Sequence, residues 1–199
     1  NHDKAQAFFE KSLHIAEKEY TTVFFILLNK LILAYLFYQY DNTAELSEDL
    51  KKYSANVIGL PTTVIFTFYD SLLNLAQYTS LSSKQKKIYL KKIKANQKKM
   101  KTWANHAPMN YLHKYLLINA ELARIKRQNT KAITFYEQAI NEARINEYTH
   151  EAALANELLG KFYISQKQEK IAVVYLLEAR YLYEKWGAHY KVKHIDNTY

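Results

Sequence analysis

Histidine is the first residue type to consider for metal binding or acid–base chemistry, because the 199 residues contain no cysteine. A zinc-binding helix places two histidines four positions apart with a glutamate between them. None of the seven histidines forms such a pair; they are His2, His14, His106, His113, His150, His189 and His194. His106 and His113 would share a helical face, but Pro108 separates them. We therefore expect no metal site, and we interpret His113 as a hydrogen-bonded packing residue.

Glycine-dependent catalytic loops are absent from the sequence. With only three glycines, it contains neither a phosphate-binding loop nor a nucleophile elbow. Acidic residues fall at expected solvent-facing helix positions and are not expected to converge on a reacting group; they include Glu48, Asp49, Glu137 and Glu142. We predict a non-catalytic segment with no catalytic, cofactor-binding or metal-binding residue. An all-helical enzyme with an unrecognised site stays as a third class of interpretation.

Positive charge is concentrated in one segment. The formal net charge is +9, and nine lysines with no acidic residue among them account for all of it. These are Lys84, Lys86, Lys87, Lys91, Lys92, Lys94, Lys98, Lys99 and Lys101. On a helix they would surround a narrow apolar seam formed by Tyr89, Ile93, Met100 and Trp103.

Two interpretations of this lysine segment stay open. It is either a solvated face that aids solubility or a docking patch for an anionic partner, namely an acidic protein, an anionic lipid or a phosphate backbone. The candidate docking residues on it are Lys84, Lys87, Lys91, Lys94 and Lys98. Because the segment contains no arginine for bidentate base contacts, we predict no specific nucleic-acid partner.

The elements that position these side chains are predicted to be helices throughout. Gly and Pro are rare and 49% of the residues are hydrophobic, which favours an all-α fold. The helices are expected near 3–20, 22–40, 43–57, 61–79, 83–104, 109–127, 130–146, 149–165, 168–186 and 189–197. Asn42 with Glu45 predicts a capping box, and Pro61 and Pro108 predict helix starts.

A 40-residue repeat organises the C-terminal half. Small residues recur at this interval: Ala120, Ala132 and Ala139 are followed by Gly160, Ala172 and Ala179. A small residue lets two helix backbones approach closely, so these six positions, together with Trp186, are predicted to be packing positions. The pattern is typical of stacked helical hairpins, and we expect a right-handed, tetratricopeptide-like stack.

The expected organisation is one repeat domain over residues 1–199. Residues 1–20 would form the second helix of an incomplete repeat, 22–186 four helical hairpins, and 189–197 a capping or connector helix. We expect the chain to be part of a longer protein. Val23 to Tyr40 is strongly apolar, but Asn29 and Lys30 interrupt it, so no membrane span is predicted. The absence of cysteine leaves the compartment open, and the cytoplasm is favoured.

Several runs in the sequence resemble a known family. They are Trp103–Ile125, Lys131–Ala143, Glu151–Tyr163 and Lys170–Val192, and they are similar to the helical-repeat region of large multidomain signalling kinases of the cyanobacterial type. The small residues Ala155, Gly160, Ala172 and Ala179 and the closing Trp186–Gly187–Ala188 match this family. In such proteins a Ser/Thr kinase-like domain and an AAA-type ATPase of the signal-transduction (STAND) class precede the repeats, and a GAF sensor and a histidine kinase follow. None of the family's catalytic motifs falls within this chain.

The resemblance implies a non-catalytic scaffold that couples an upstream ATPase or kinase switch to a downstream sensor kinase. Its partners would be neighbouring domains of the same chain or a peptide. The alternative is a free-standing tetratricopeptide-like adapter, for which Gly160, Tyr163, Ala172 and Ala179 have suitable mutual spacing. Peptide-binding adapters often use asparagine on first helices, which makes Asn119 and Asn156 candidate docking residues.

Overall fold

The computed structural model describes residues 7–9, 11 and 19–199. Residues 19–199 contain nine α-helices, residues 7–9 and 11 are helical as well, and the described part of the chain has no β-strand, which confirms the predicted all-α fold. The helices are α1 Tyr20–Leu36, α2 Thr43–Tyr53, α3 Pro61–Ala76, α4 Ser83–His106, α5 Pro108–Ile125, α6 Asn129–Ile145, α7 Thr149–Ser165, α8 Glu169–Lys185 and α9 His189–Thr198. Short 3-10 turns follow α2 and α3, at Ser54–Val57 and Tyr78–Ser80. The helix predicted at 3–20 lies largely outside the described residues.

The chain divides into two compact units, residues 1–73 and 74–199, with the boundary inside α3. The prediction of one repeat domain over 1–199 therefore stays a prediction, as does the hairpin of 61–79 with 83–104, which spans the boundary. In the N-terminal unit, α1 packs on α2 and its aromatic rings meet those of α3. Its core side chains are almost fully buried and include Phe24, Leu31, Leu50, Val57, Phe68 and Leu72.

Two features of the N-terminal unit differ from the prediction, namely the end of α1 and the cap of α2. Helix α1 ends at Leu36 rather than near residue 40, and Tyr38 adopts the left-handed conformation at φ 59°. The predicted capping box of Asn42 with Glu45 is wrong. Asn42 is also left-handed, at φ 59°, and its side chain makes no cap hydrogen bond, whereas capping normally requires an extended backbone. The structure has a capping box at the start of α4, where Ser82 and Gln85 cap each other.

Helices α4 to α9 make up most of the C-terminal unit. The most extensive packing is within two hairpins, α5 with α6 and α7 with α8, and α6 packs on α7. Pro108 is the first residue of α5, as predicted. Three-residue connections join successive helices from α5 to α9, which is short enough to make neighbouring helices antiparallel.

The four connections share one backbone conformation. Each contains a residue with positive φ, and these residues recur every 20 positions: Arg127, Glu147, Lys167 and Gly187. In each case the next residue donates its N–H to a carbonyl five residues back, at 2.8 to 3.0 Å. This is the hydrogen bond that closes a Schellman motif. One helix plus one connection therefore occupies 20 residues, and a hairpin occupies the 40 residues of the sequence repeat.

No helix in the described part of the chain is long and apolar enough to cross a membrane. In α1, Asn29 is exposed and donates its side-chain amide to the carbonyl of Phe25 at 2.8 Å.

Candidate functional site

The six small residues of the repeat lie inside the helical packing of the C-terminal unit. Ala120, Ala132, Ala139, Ala172 and Ala179 are each no more than 1% exposed, and Gly160 is buried. A side chain on Gly160 would meet Leu176 of α8 at 2.7 Å. Trp186 differs from the other predicted packing residues because it is about half exposed, at 48%, and its ring stacks on His150 at 4.9 Å.

The lysine segment forms most of α4. Ile93 and Met100 are fully buried, while Tyr89 and Trp103 are half-buried, so the predicted apolar seam is confirmed. The candidate docking residues all lie on the exposed side of the helix; they are Lys84, Lys87, Lys91, Lys94 and Lys98. The structure brings these five ammonium groups onto one surface, which can bind anions without any covalent chemistry.

The two candidate asparagines are placed away from that surface. Asn119 on α5 is half-buried, and its side-chain oxygen accepts a hydrogen bond from Gln97 of α4 at 2.8 Å. Asn156 on α7 is 2% exposed and donates to the carbonyl of Ala152 at 2.8 Å. The Asn119 amide joins α5 to α4, and the Asn156 amide is buried and bonded within its own helix, so we leave both out of the docking proposals below.

A buried ion pair anchors the last helix. Lys191 of α9 is 3% exposed, and its Nζ donates to Oε1 of Glu157 on α7 at 2.6 Å. The hydroxyl of Tyr183 on α8 donates to the other carboxylate oxygen at 2.8 Å. Burial lowers the pKa of Lys191, although the charge of Glu157 opposes that shift. Val192 and Ile195 add apolar contacts to the same core, so α9 is attached to the preceding hairpin.

A second buried ion pair links α5 to α7. Lys114 and Glu151 are 3% and 4% exposed, and Nζ lies 2.7 Å from Oε1. The Nε2 atom of His113 lies 3.1 Å from Oε2 of Glu151, which confirms that His113 is a hydrogen-bonded packing residue. The Lys114 ammonium also lies over the ring of Tyr148, 4.4 Å from its centroid.

The electrostatics of this cluster favour neutral His113 and ionised Glu151. Burial lowers the pKa of His113 more than the nearby carboxylate raises it. Its Nδ1 atom is buried without a hydrogen-bond partner among the described residues, which fits a neutral ring. Burial opposes ionisation of Glu151, but hydrogen bonds from His113 and His150 and the charge of Lys114 outweigh it and lower the pKa of Glu151.

Sequence reasoning missed both ion pairs. Lys114 interrupts the apolar stretch YLHKYLL, and Glu157 interrupts ALANELL. A charged residue on the buried side of an amphipathic helix is the signal that could have revealed the two ion pairs. Each charge is paired inside the protein and is unavailable to a substrate. Among the described residues there is also no group of three or more acidic or histidine side chains that could hold a metal ion.

Comparison with known proteins agrees with this architecture. A family model described as CHK1-like, TPR repeats matches residues 5–193. No curated protein and no solved structure matches the chain. Tetratricopeptide repeats are helical hairpins that stack on one another and usually serve protein–protein interaction. Because the match covers nearly the whole sequence, the chain belongs to the family of CHK1-like TPR repeats.

Proposed function

We propose that this repeat array is a non-catalytic module that couples an upstream ATPase or kinase switch to a downstream GAF and histidine kinase sensor in a larger cytoplasmic signalling protein. Family membership supports the general part, a helical module for protein interaction. The resemblance of Trp103–Ile125 and the following runs to the repeats of multidomain signalling kinases supports the specific part.

The attachment of α9 is the observation that carries the coupling role. A coupling element transmits a displacement only if its last segment moves together with the repeats before it. The Lys191–Glu157 ion pair joins α9 to α7, and Arg180 of α8 binds Asp196 of α9 at 2.7 Å. A domain that follows α9 would therefore be displaced whenever the α7/α8 hairpin moves.

The test uses the full-length parent protein and measures its signal-dependent phosphorylation. Replacing Lys191 and Ile195 together with alanine detaches α9, and we expect the response to the signal to be lost while basal phosphorylation persists. Lys193→Ala is the matched control, because Lys193 lies on the same helix and is exposed. A response that survives both the double substitution and deletion of residues 1–199 would contradict the proposal.

The alternative is an adapter that acts alone and binds peptides. The burial of Asn156 and the bond between Asn119 and Gln97 do not favour it, because these amides are engaged within the array. The size of the native polypeptide in a lysate of the source cell, probed with an antibody against this segment, separates the two roles. A band near 23.5 kDa would favour the adapter, and a much larger band the coupling module.

A further inference from the structure

The exposed lysines of α4 follow a helical period. Lys84, Lys87, Lys91, Lys94, Lys98 and Lys101 are separated by alternating steps of three and four residues, and all six are exposed. At 100° and 1.5 Å per residue they fall within an arc of about 100° and along about 25 Å of the helix. We call these six residues the lysine ladder.

The ladder is electrostatically unfavourable on its own. Like charges three or four positions apart on a helix repel one another and destabilise it. No carboxylate among the described residues forms an ion pair with any of the six ammonium groups. Solubility requires charge but does not require one sign on one face, since mixed Glu and Lys would provide it without repulsion. A binding partner of opposite charge would relieve the repulsion.

The spacing of the lysines, rather than an apolar seam at positions a and d, points to the shape of that partner. If Ile88, Ala95 and Thr102 are written as position a, the lysines Lys84, Lys91 and Lys98 fall at d. The g positions are Lys87, Lys94 and Lys101; of the two lysines at e positions, Lys99 is exposed and Lys92 is half-buried. Ile88 and Ala95 are exposed beside the ladder and offer an apolar contact line. In a coiled coil, positions a and d face the partner helix and e and g flank the contact.

We propose that the lysine ladder docks an acidic α-helix of a partner protein or domain, with Asp and Glu at the positions opposite Lys87, Lys94 and Lys101. This inference rests on the proposed function of the array as a protein-interaction module, and it names the partner's chemistry. The helical period of the charges complements another helix, whose acidic side chains recur with the same spacing.

Two other anionic partners fit the surface less well. Insertion into a membrane requires a broad apolar helix face, but the apolar seam of α4 is used internally, with Ile93 and Met100 fully buried, and its outer side offers only the narrow line of Ile88 and Ala95. A nucleic acid would favour arginine for base contacts or aromatic rings for stacking, and the ladder has neither.

The probe for the test is a synthetic helical peptide of three heptads (about 21 residues), with glutamate at e and g, leucine at a and alanine elsewhere. Its control has the same composition in an order that distributes glutamate around the helix. We expect the purified 199-residue chain to bind the matched peptide about tenfold more tightly than the control peptide, measured by fluorescence anisotropy, with affinity falling as salt rises.

Substitution at the g positions locates the site. A triple substitution should weaken binding of the matched peptide about tenfold; it combines Lys87→Gln, Lys94→Gln and Lys101→Gln. The control is a second triple substitution that removes equal charge from exposed positions outside the ladder and should leave binding unchanged. It combines Lys126→Gln, Lys131→Gln and Lys170→Gln. Because the triple substitution at Lys87, Lys94 and Lys101 removes repulsion between like charges, its melting temperature should equal or exceed that of the unmodified chain. Weaker peptide binding would then not reflect unfolding.

Three results would overturn the proposal: equal affinity for both peptides, equal effects of the two triple substitutions, or tighter binding to phosphatidylserine vesicles or polyuridine RNA than to the matched peptide.

Failure of the helix-docking proposal is distinguishable from failure of the coupling role. The peptide assay tests the ladder directly, whereas phosphorylation of the parent protein with Lys191 and Ile195 replaced tests coupling without changing α4.

Discussion

Gly160 of α7 and Leu176 of α8 approach so closely that a methyl group on Gly160 would lie 2.7 Å from Cγ and 2.8 Å from Cδ2 of Leu176. Carbon atoms in favourable contact lie about 3.5 to 4.0 Å apart. Glycine inside a helix costs about 1 kcal/mol relative to alanine, so helix propensity alone would favour alanine at this position. Close packing of the two helices therefore accounts for glycine at position 160.

We expect Gly160→Ala to destabilise the chain by up to about 2 kcal/mol, because overpacking costs about 1 to 3 kcal/mol and the gain in helix propensity offsets about 1 kcal/mol of that. The measurement is the free energy of unfolding in urea. In a Leu176→Ala background the clashing atoms are gone, so the same substitution should be neutral or stabilising. Equal destabilisation by Gly160→Ala in both backgrounds would show that the contact with Leu176 does not explain the glycine.

The pair of Lys191 with Glu157 should be essential to the attachment of α9. Lys191→Met leaves a buried carboxylate without its cation, and we expect a loss of about 3 to 5 kcal/mol in the free energy of unfolding. Replacing Glu157 with leucine in the same chain should recover part of that loss. Arg180→Gln is the control, because it removes an exposed ion pair between α8 and α9 and should have little effect. Similar losses for Lys191→Met and Arg180→Gln would argue against a special role for the buried pair.

Stability should fall as the pH is lowered from 7.5 to 5.5. Burial lowers the pKa of His113 in the folded state, whereas an unfolded histidine titrates near 6.5, so below that pH the unfolded chain binds more protons. The free energy of unfolding should decrease by up to about 1.4 kcal/mol per pH unit from this residue. The pKa of His194 is also lowered by burial and contributes in the same direction.

Glu151 titrates outside this window. Its pKa is lowered from 4.5, so its stabilising effect persists above that pH and is lost only in stronger acid. His113→Gln keeps an amide that can donate to Glu151, and its melting temperature should depend less on pH between 7.5 and 5.5 than that of the unmodified chain. His189→Gln, at an exposed position, should retain the full dependence. Identical pH profiles for both variants would exclude His113 as the source.

The left-handed connections offer a paired test. Lys167 has a φ of 59° and Gly187 a φ of 84° at equivalent places in consecutive connections. Because a side chain strains this conformation, Lys167→Gly should raise the free energy of unfolding by about 0.5 to 1 kcal/mol, and Gly187→Ala should lower it by about 1 kcal/mol. No atom lies near enough to obstruct the added methyl at Gly187, so strain is the only cost. Gln138→Gly inside α6 should be destabilising, and a stabilising effect there would contradict this explanation.

Local features of the sequence were sufficient to predict the all-α class and most of the described helices. Pro61 and Pro108 begin helices where they were expected, and the 40-residue spacing of small residues matches two consecutive hairpins. Local rules failed at Asn42, where residue type suggested a cap but the left-handed backbone prevented one. The backbone conformation of a connection depends on how the flanking helices pack, which the residue type at one position does not specify.

The sequence by itself determined the helical class, the small packing residues and the single-sign charge of α4, because each depends on composition or on spacing within one helix. Tertiary structure alone decided which charges are internal. Lys114 with Glu151 and Lys191 with Glu157 are 37 and 34 positions apart, and each pair forms because separate helices pack in one particular register. Asn156 faces the core for the same reason. Spacing along one helix follows from its geometry, whereas contacts between helices depend on the orientation of both.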